Sequence, residues 1–491
     1  MRTILVVNDI AVAPVVEGVE VIAARDYLAD PRWAELRSCR VLNLCRSFRY
    51  QKSGYYVSLL AHARGHRPVP TLAAIQGAKS AAIVGLVSDE LHETIQRSLA
   101  PEEGPRVTLT VCMGVESSGR HQGLAAALFG HVPLPLLQAT FTRHERSGEW
   151  SLSRCTSLPI DRLPESAREQ LGELIGRFLR RRRSSPRRDE SCYDLAILRD
   201  PAEAEPPSNE GALRLLQKAA QAEGLSVELI TRDDYARVAE FDALFIRETT
   251  AVNHHTFRFS QRAAAEGLVV LDDPESILRC SNKVYLAELL GRHGIRTPRT
   301  MIVHRGNLGP VAATMGFPCV LKQPDSAFSQ GVTKVTGPED FREQATRLLR
   351  RSDLLVVQAF MPTEFDWRVG VLDQRPLFVC KYYMAAQHWQ VMRHRDDGRP
   401  ADEGTTEAVP FDQTPPAVLE AAVRAANLMG DGLYGVDLKE VDGKPYVIEV
   451  NDNPNLYAGT EDELLGEGLY RTIMAEFRRR LDVRRQRGSP R

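Results

Sequence analysis

The chain has 491 residues, room for about three domains, and its 63 Lys and Arg against 64 Asp and Glu leave a formal charge of −1. That balance supplies no global field toward nucleic acid or anionic lipid, and 43% hydrophobic with 26% charged residues exclude a disordered, collagenous or membrane-embedded chain. Eight cysteines with no Cys-x-x-Cys pair argue against a disulfide framework or a cysteine zinc site and fit the reduced thiols of a cytoplasmic protein.

In chain order, Met1 to Val7 predicts a first buried strand, because Asn8 and Asp9 end the apolar run too soon for a secretory signal. Val41 to Cys45 and Val107 to Val111 predict strands, Tyr55 to Arg64 a helix stopped by Gly65, and Leu137 to Pro159 a hairpin around Arg146 to Glu149. This first region is mixed α/β. The run Arg177 to Arg188 packs like charges around Pro186 after a helix from Glu165, which predicts a domain boundary. It reads as an RNA- or phosphate-binding patch or, since no aromatic residue interleaves with it for base stacking, as a solvated helix end and linker.

Beyond the run, Tyr193 to Leu198, Val227 to Ile230 and Ala243 to Ile246 read as strands alternating with helices over Glu210 to Glu223 and Thr256 to Glu266. Such alternation predicts a parallel, Rossmann-like sheet. From Ser281 the rhythm changes to helix, strand, loop and hairpins, which predicts a separate α+β domain. Gly77-Ala78-Lys79-Ser80 lacks the glycine that precedes the lysine of a phosphate loop, and no serine-elbow, zincin or dinucleotide fingerprint is present. His254-His255 is set aside as a ligand pair, because neighbours at a helix start point in different directions.

The stretch Tyr434 to Pro454 carries the chemistry. Two alternating runs flank Asp442-Gly443, so it predicts a hairpin. A two-residue turn sets Asp437 opposite Ile448 and leaves Glu449 on the other face; a three-residue loop with Gly443 left-handed sets Asp437 opposite Val447 and brings Asp437, Glu449 and Asn451 to one face. The three-residue loop is preferred because it also gives Val436, Leu438, Tyr446, Ile448 and Val450 a continuous apolar face. Two carboxylates and an amide oxygen suit Mg²⁺ or Mn²⁺, or they are three solvated polar residues on an open sheet face.

Cations upstream bear on that choice. Lys283 starts a helix over Asn282 to Arg292, and Lys322 ends the apolar strand Cys319-Val320-Leu321, where a buried charge needs an anionic partner such as phosphate. The small-residue loop Phe328 to Val332 follows, with backbone N–H groups suited to phosphate oxygens. Taken singly, these features also read as a solvated lysine, a snorkelling strand-end lysine and a hairpin loop.

The order Asn282-Lys283, Gly316 to Lys322, Ser329-Gln330-Gly331-Val332, Val356 to Met361, Asp366-Trp367-Arg368, Asp437 and Glu449-Val450-Asn451 resembles the ATP-grasp superfamily, and within it RimK-type glutamate ligases and glutathione synthetases. Residues 193–280 are similar to their pre-ATP-grasp domain, and the first part of the chain, with Arg46 to Tyr50 and Ser53 to Ala61, to the accessory domain ahead of some RimK-like proteins. The expected organisation is therefore an accessory domain over 1–176, a basic linker over 177–192, a pre-ATP-grasp domain over 193–280, an ATP-grasp domain over 281–483 and a tail over 484–491.

The resemblance implies that Lys283, Lys322 and the loop Ser329, Gln330 and Gly331 contact ATP phosphates, and that Gln358, Ala359, Phe360 and Met361 read adenine. It implies that Asp366 holds the ribose, with Arg368 beside it and Lys381 near the γ-phosphate, and that Asp437, Glu449 and Asn451 bind Mg²⁺ or Mn²⁺. The implied reaction joins a carboxylate to an amine through an acyl phosphate, on an amino acid, a small peptide or a protein C-terminus, with Ser326 to Gly331 and Trp389 to Gly404 as lids. The segment His388 to Gly398 departs from the Arg-x-Asn pattern of RimK-type ligases. Within it Arg393 and Arg395 offer guanidinium forks for an acceptor carboxylate. Arg247 and its neighbours, at a strand's carboxyl end, either meet substrate or cap the next helix. The alternatives are an ATP-grasp phosphotransferase and an RNA- or ribosome-associated adaptor using Arg177 to Arg188, the latter disfavoured by the neutral total charge; no membrane partner is expected, and self-association stays open.

Overall fold

The computed structural model describes residues 2–33, 36, 39–180, 193–325, 332–385, 392–394 and 400–487. They fall into two units, one holding residues up to 180 with Asp233–Phe241, the other residues 193–232 with Asp242–Gln486. Among the described residues no helix is long and apolar enough to cross a membrane, and seven cysteines are free and buried.

In the first unit β1 (Arg2–Val7), β2 (Glu20–Ala23), β3 (Cys39–Asn43) and β4 (Arg67–Val69) form a parallel sheet in the order β2-β1-β3-β4. Strands β1 and β3 are buried without alternation because both faces are covered, and Ile4, Leu5, Val41 and Leu42 are fully buried. The helix Ser53–Ala63 ends before Gly65, whose φ of +69° only glycine adopts freely. Buried Asn43 ties the sheet to that helix, donating to the Gly54 carbonyl at 2.8 Å and to Ser58 Oγ at 3.0 Å. A second, antiparallel sheet contains β5 (Arg106–Cys112), β6 (Val115–Glu116), β7 (Leu136–Arg143) and β8 (Trp150–Ser157) in the order β6-β5-β7-β8. The helix Glu165–Arg180 follows, with Arg177 paired to Glu173 at i,i+4 as on a solvated helix face; the rest of the basic run, from Arg181, lies outside the described residues.

The second unit begins with β9 (Tyr193–Leu198), β10 (Leu225–Ile230), β11 (Ala243–Ile246) and β12 (Val269–Leu271), all parallel in the order β10-β9-β11-β12, with helices over Glu210–Ala222 and His255–Ala265. This is the Rossmann-like alternation read from the sequence. Next, β13 (Thr300–Val303), β14 (Cys319–Lys322), β15 (Val332–Val335) and β16 (Leu355–Ala359) form an antiparallel sheet ordered β13-β16-β14-β15. A larger antiparallel sheet, ordered β21-β18-β17-β22-β23, is built from β17 (Phe365–Leu372), β18 (Arg375–Tyr383), β21 (Thr406–Ala408), β22 (Leu433–Val441) and β23 (Lys444–Asn451), while β19 (Met392–His394) pairs with β20 (Pro400–Glu403). The helix Pro416–Asn427 packs Val418, Ala422 and Ala425 with Val436, Val447 and Val450 of the hairpin. The helix Glu467–Arg487 runs past the expected domain end at 483 and buries Leu469, Ile473 and Phe477 with Leu195 and Phe245.

The hairpin β22–β23 corrects one expectation. Val441 pairs with Lys444, so the turn has two residues, and φ values of +52° at Asp442 and +69° at Gly443 give it the doubly left-handed form that matches strand twist. Parity is restored further up: Leu438 pairs with Val447 but Asp437 with Glu449, so Ile448 is the extra residue of a bulge. Asp437 thus lies opposite Glu449 and not Val447, and the buried face is Val436, Leu438, Val447 and Val450, without Tyr446 or Ile448. Gly443→Ala adds a methyl group with nothing within 4 Å of it, so its effect is conformational alone: a loss of about 1–2 kcal/mol, read as a lowered thermal midpoint.

Candidate active site

A cavity of about 720 Å³ opens in the second unit, walled by β14, β16, β17, β22, β23 and the loop after β11. Lys283 enters it because Asn282 caps the helix Lys283–Arg292, its side-chain oxygen accepting from the Val284 and Tyr285 amides at 3.0 Å each, which fixes the first turn. Lys283 Nζ donates to Glu449 Oε1 at 2.7 Å. Lys322 enters from the end of β14, 9% exposed, and among the described residues its ammonium has no hydrogen-bond or ion-pair partner. Burial, together with Lys283 and Lys439 and against Glu449, pushes Lys322 down to about 8.

The bulge delivers the acids. Asp437 is gripped through both oxygens by Arg368, with Nη2 to Oδ2 at 2.9 Å. Burial raises the Asp437 carboxyl above its ordinary range against the pull of Arg368. Burial opposes charge on Arg368 as well, but Asp437 outweighs it and holds the guanidinium above its usual value. Glu449 is likewise opposed by burial, yet Lys283 and Lys322 hold it low. Asn451 donates Nδ2 to Asp437 Oδ2 at 3.1 Å and to the Gly435 carbonyl at 3.3 Å, which leaves its amide oxygen available. Gly435 is required beside this pair: a Cβ there would stand 2.7 Å from Pro454 Cβ and 3.2 Å from Arg368 Cδ.

Asp366, Gln358, Ala359, Phe360 and Met361 also line the cavity. Asp366 is paired with Lys439 at 2.5 Å, and Gln358 Nε2 donates to Thr300 Oγ1 at 3.2 Å. Two expected residues are placed elsewhere. Lys381 pairs across the sheet with Trp367, which is buried in the core, and its Nζ lies 5.2 Å and 5.5 Å from the Phe365 and Trp367 ring centres; it does not line the cavity, because alternation along β18 sends Tyr382 there in its place. Arg247 is a brace and not a substrate arm: it donates to Ser208 Oγ at 2.9 Å, Asn453 Oδ1 at 2.5 Å, and the Pro207 and Pro454 carbonyls at 2.6 and 2.7 Å, which engages its whole fork. Arg393 lies on β19; Ser329, Gln330, Gly331 and Arg395 are outside the described residues.

Lys439 and Tyr382 line the cavity without having been singled out for it, and of the strand-end segment around Arg247 it is Thr249 and Thr250 that line it. Lys439 had a signal, since it follows Asp437 by two on one strand and so shares its face. Tyr382, stacked 4.9 Å from the Arg368 guanidinium, had none, because only the β17–β18 register exposes it.

A family model described as RimK-like ATPgrasp N-terminal domain matches residues 24–173, and one described as RimK-like ATP-grasp domain matches residues 280–464. The chain is 23% identical over 260 residues to the alpha-aminoadipate–LysW ligase LysX of Sulfolobus acidocaldarius, covering 49% of this chain and 88% of that protein. It is 26% identical over 267 residues to a probable alpha-L-glutamate ligase of Aeromonas salmonicida, covering 51% and 87%. Among solved structures it is similar to a D-alanine–D-alanine ligase of Bacillus anthracis, with a TM-score of 0.48 at 15% identity over 60% of this chain and 99% of that one. With both family models matched in order along one chain, the protein belongs to the ATP-grasp carboxylate–amine ligase superfamily, as a RimK-like ATP-grasp enzyme of the class that forms carbon–nitrogen bonds.

Proposed function

We propose that this cavity binds ATP with a divalent cation and joins a substrate carboxylate to an amine through an acyl phosphate. The observation that carries the reading is Lys322, a buried ammonium facing the cavity with no partner among the described residues. A charge so placed is stabilised by an anion, which a polyphosphate entering the cavity supplies. Lys283 stands with it across Glu449, and two cations in one wall suit a polyphosphate.

Asp437, Glu449 and the free amide oxygen of Asn451 form an all-oxygen donor set, which fits Mg²⁺ or Mn²⁺. When bound, the cation screens the charge carried by the transferred phosphoryl group. The chain's own residues do the rest of the work. Lys283 and Lys322 hold phosphate oxygens, the strand end Gln358 to Met361 receives the base, and Asp366 receives the ribose. Arg368, kept cationic by Asp437, meets the charge that develops as the carboxylate attacks the γ-phosphate, and the amine then displaces phosphate. No nucleophilic side chain is needed.

The substrates we propose are an amino acid, a small peptide or a protein C-terminus, in keeping with the amino-acid ligases among its relatives. Thr249 and Thr250, at the carboxyl end of β11, line the cavity on that side, and Arg393 and Arg395 supply forks for an acceptor carboxylate.

Two outcomes test this reading. Glu449→Gln should lower amine-dependent phosphate release from ATP by about 10²–10³-fold with the fold retained, because the side chain faces the cavity and Gln keeps its shape and an oxygen that can accept from Lys283. Mass spectrometry of the product should give the two substrates minus water; a stable phosphorylated product without amine would indicate the phosphotransferase, and unchanged turnover would overturn the cation assignment. Affinity for ATP should also weaken as pH rises through about 8, since the Lys322 ammonium is present below that value and lost above it. Lys322→Arg, charged throughout, should flatten the profile.

A further inference from the structure

The loop that carries Thr249 and Thr250 into the cavity also holds a second cluster of donors. Glu248 is 3% exposed, and His254 and His255 close the loop at the start of the helix His255–Ala265. Sequence reasoning sets these histidines aside as divergent neighbours, but His254 sits just outside the helix in extended backbone (φ −113°, ψ 160°), so its ring turns back onto that of His255, with centres 3.9 Å apart. One donor atom each from Glu248, His254 and His255 lies within 4.8 Å of the others.

The internal geometry is that of converging lone pairs. His255 Nε2 lies 2.5 Å from Glu248 Oε1, yet the contact is not aligned as a hydrogen bond, and Glu248 Oε2 has no partner among the described residues. Arg247, next along the chain, is committed elsewhere and cannot neutralise Glu248. Glu203, bonded to the Thr249 amide at 3.2 Å, adds a second carboxylate nearby. Thr256 Oγ1, 3.1 Å from His254 Nδ1, orients its ring as the outer partner of a metal-bound imidazole does.

We propose that Glu248, His254 and His255 form a binding site for a divalent transition metal of the zinc class, separate from the Asp437–Glu449–Asn451 donors. The chemistry sorts the two sites: imidazole nitrogen with one carboxylate selects Zn²⁺ and its neighbours in the first row, whereas an all-oxygen set suits Mg²⁺. Tetrahedral bonds of about 2.0–2.1 Å space donors by about 3.4 Å, so the present spacing closes with small side-chain shifts and leaves a position for water. Because Asn453 Nδ2 donates to the Glu248 carbonyl at 2.7 Å and Thr250 Oγ1 to Asp452 Oδ2 at 2.7 Å, a metal here would fix the loop against the end of the catalytic hairpin.

The test is a titration of the full chain with Co²⁺, without ATP, read by visible ligand-field absorption and by metal content after gel filtration, with Glu449→Gln as background to remove the other site. One equivalent of Co²⁺ with the absorption of a four- or five-coordinate nitrogen-containing site is expected in Glu449→Gln, displaced by Zn²⁺. His255→Gln, and independently the isosteric Glu248→Gln, should weaken it by at least about tenfold, the loss that an outer-partner change alone causes. Two variants guard against one of them failing to fold, which circular dichroism reports. Absence of Co²⁺ binding in Glu449→Gln, or binding that both His255→Gln and Glu248→Gln leave unchanged, would overturn the proposal and make the cluster a plain His–Glu contact.

Discussion

The site in the second unit depends on one extra residue. Ile448 bulges from β23, and below it the hairpin keeps the register that its two-residue turn imposes, while above it Asp437 and Glu449 face each other. Without that bulge a strict alternation places the two carboxylates on opposite faces of the sheet, one in the cavity and one in the apolar core. The core would then hold an unpaired charge. The same residue that aligns the acids gives the cavity an apolar wall, since Ile448 lines it.

Charge in the cavity is arranged by pairing across elements that are distant in sequence. Arg368 from β17 meets Asp437 from β22, Lys283 from a helix start meets Glu449 from β23, and Lys439 meets Asp366. Each pair sets a cation against a carboxylate taken out of water; the lysines hold Glu449 low, while burial of Asp437 outweighs the pull of Arg368. Lys322, buried on the cavity wall, has no such pair among the described residues.

Much of this was legible in the sequence, for reasons that differ by residue. The strands Tyr193–Leu198 and Ala243–Ile246 match the structure end to end because parallel buried strands are continuous apolar runs with sharp polar borders. Lys283 and Lys322 were legible as a helix start and a strand end. What was hidden depends on tertiary register or on the path of a loop. The convergence of Asp437, Glu449 and Asn451 was anticipated but for the wrong reason, since a bulge and a tight turn produce the same parity as a longer loop. Lys381 and Tyr382 exchange faces on a register that no local pattern specifies, and Arg247 looks like any strand-end arginine until its four partners are known. His254 and His255 were read as divergent because a helix start was assumed to include both, whereas only His255 is helical.

Arg247 has a consequence for how the second unit comes apart. Its guanidinium joins the end of β11 to Pro207 and Ser208, which precede the helix Glu210–Ala222, and to Asn453 and Pro454, which follow the hairpin β22–β23. Leu456 adds a backbone bond to the Pro207 carbonyl at 2.8 Å and a bridge to Ser208. Withdrawing any one of these segments strands a buried guanidinium and the groups that face it, so the penalty for opening one is levied on the others as well. The Rossmann-like sheet and the hairpin therefore unfold as one cooperative block, and local opening is left to the loops outside it.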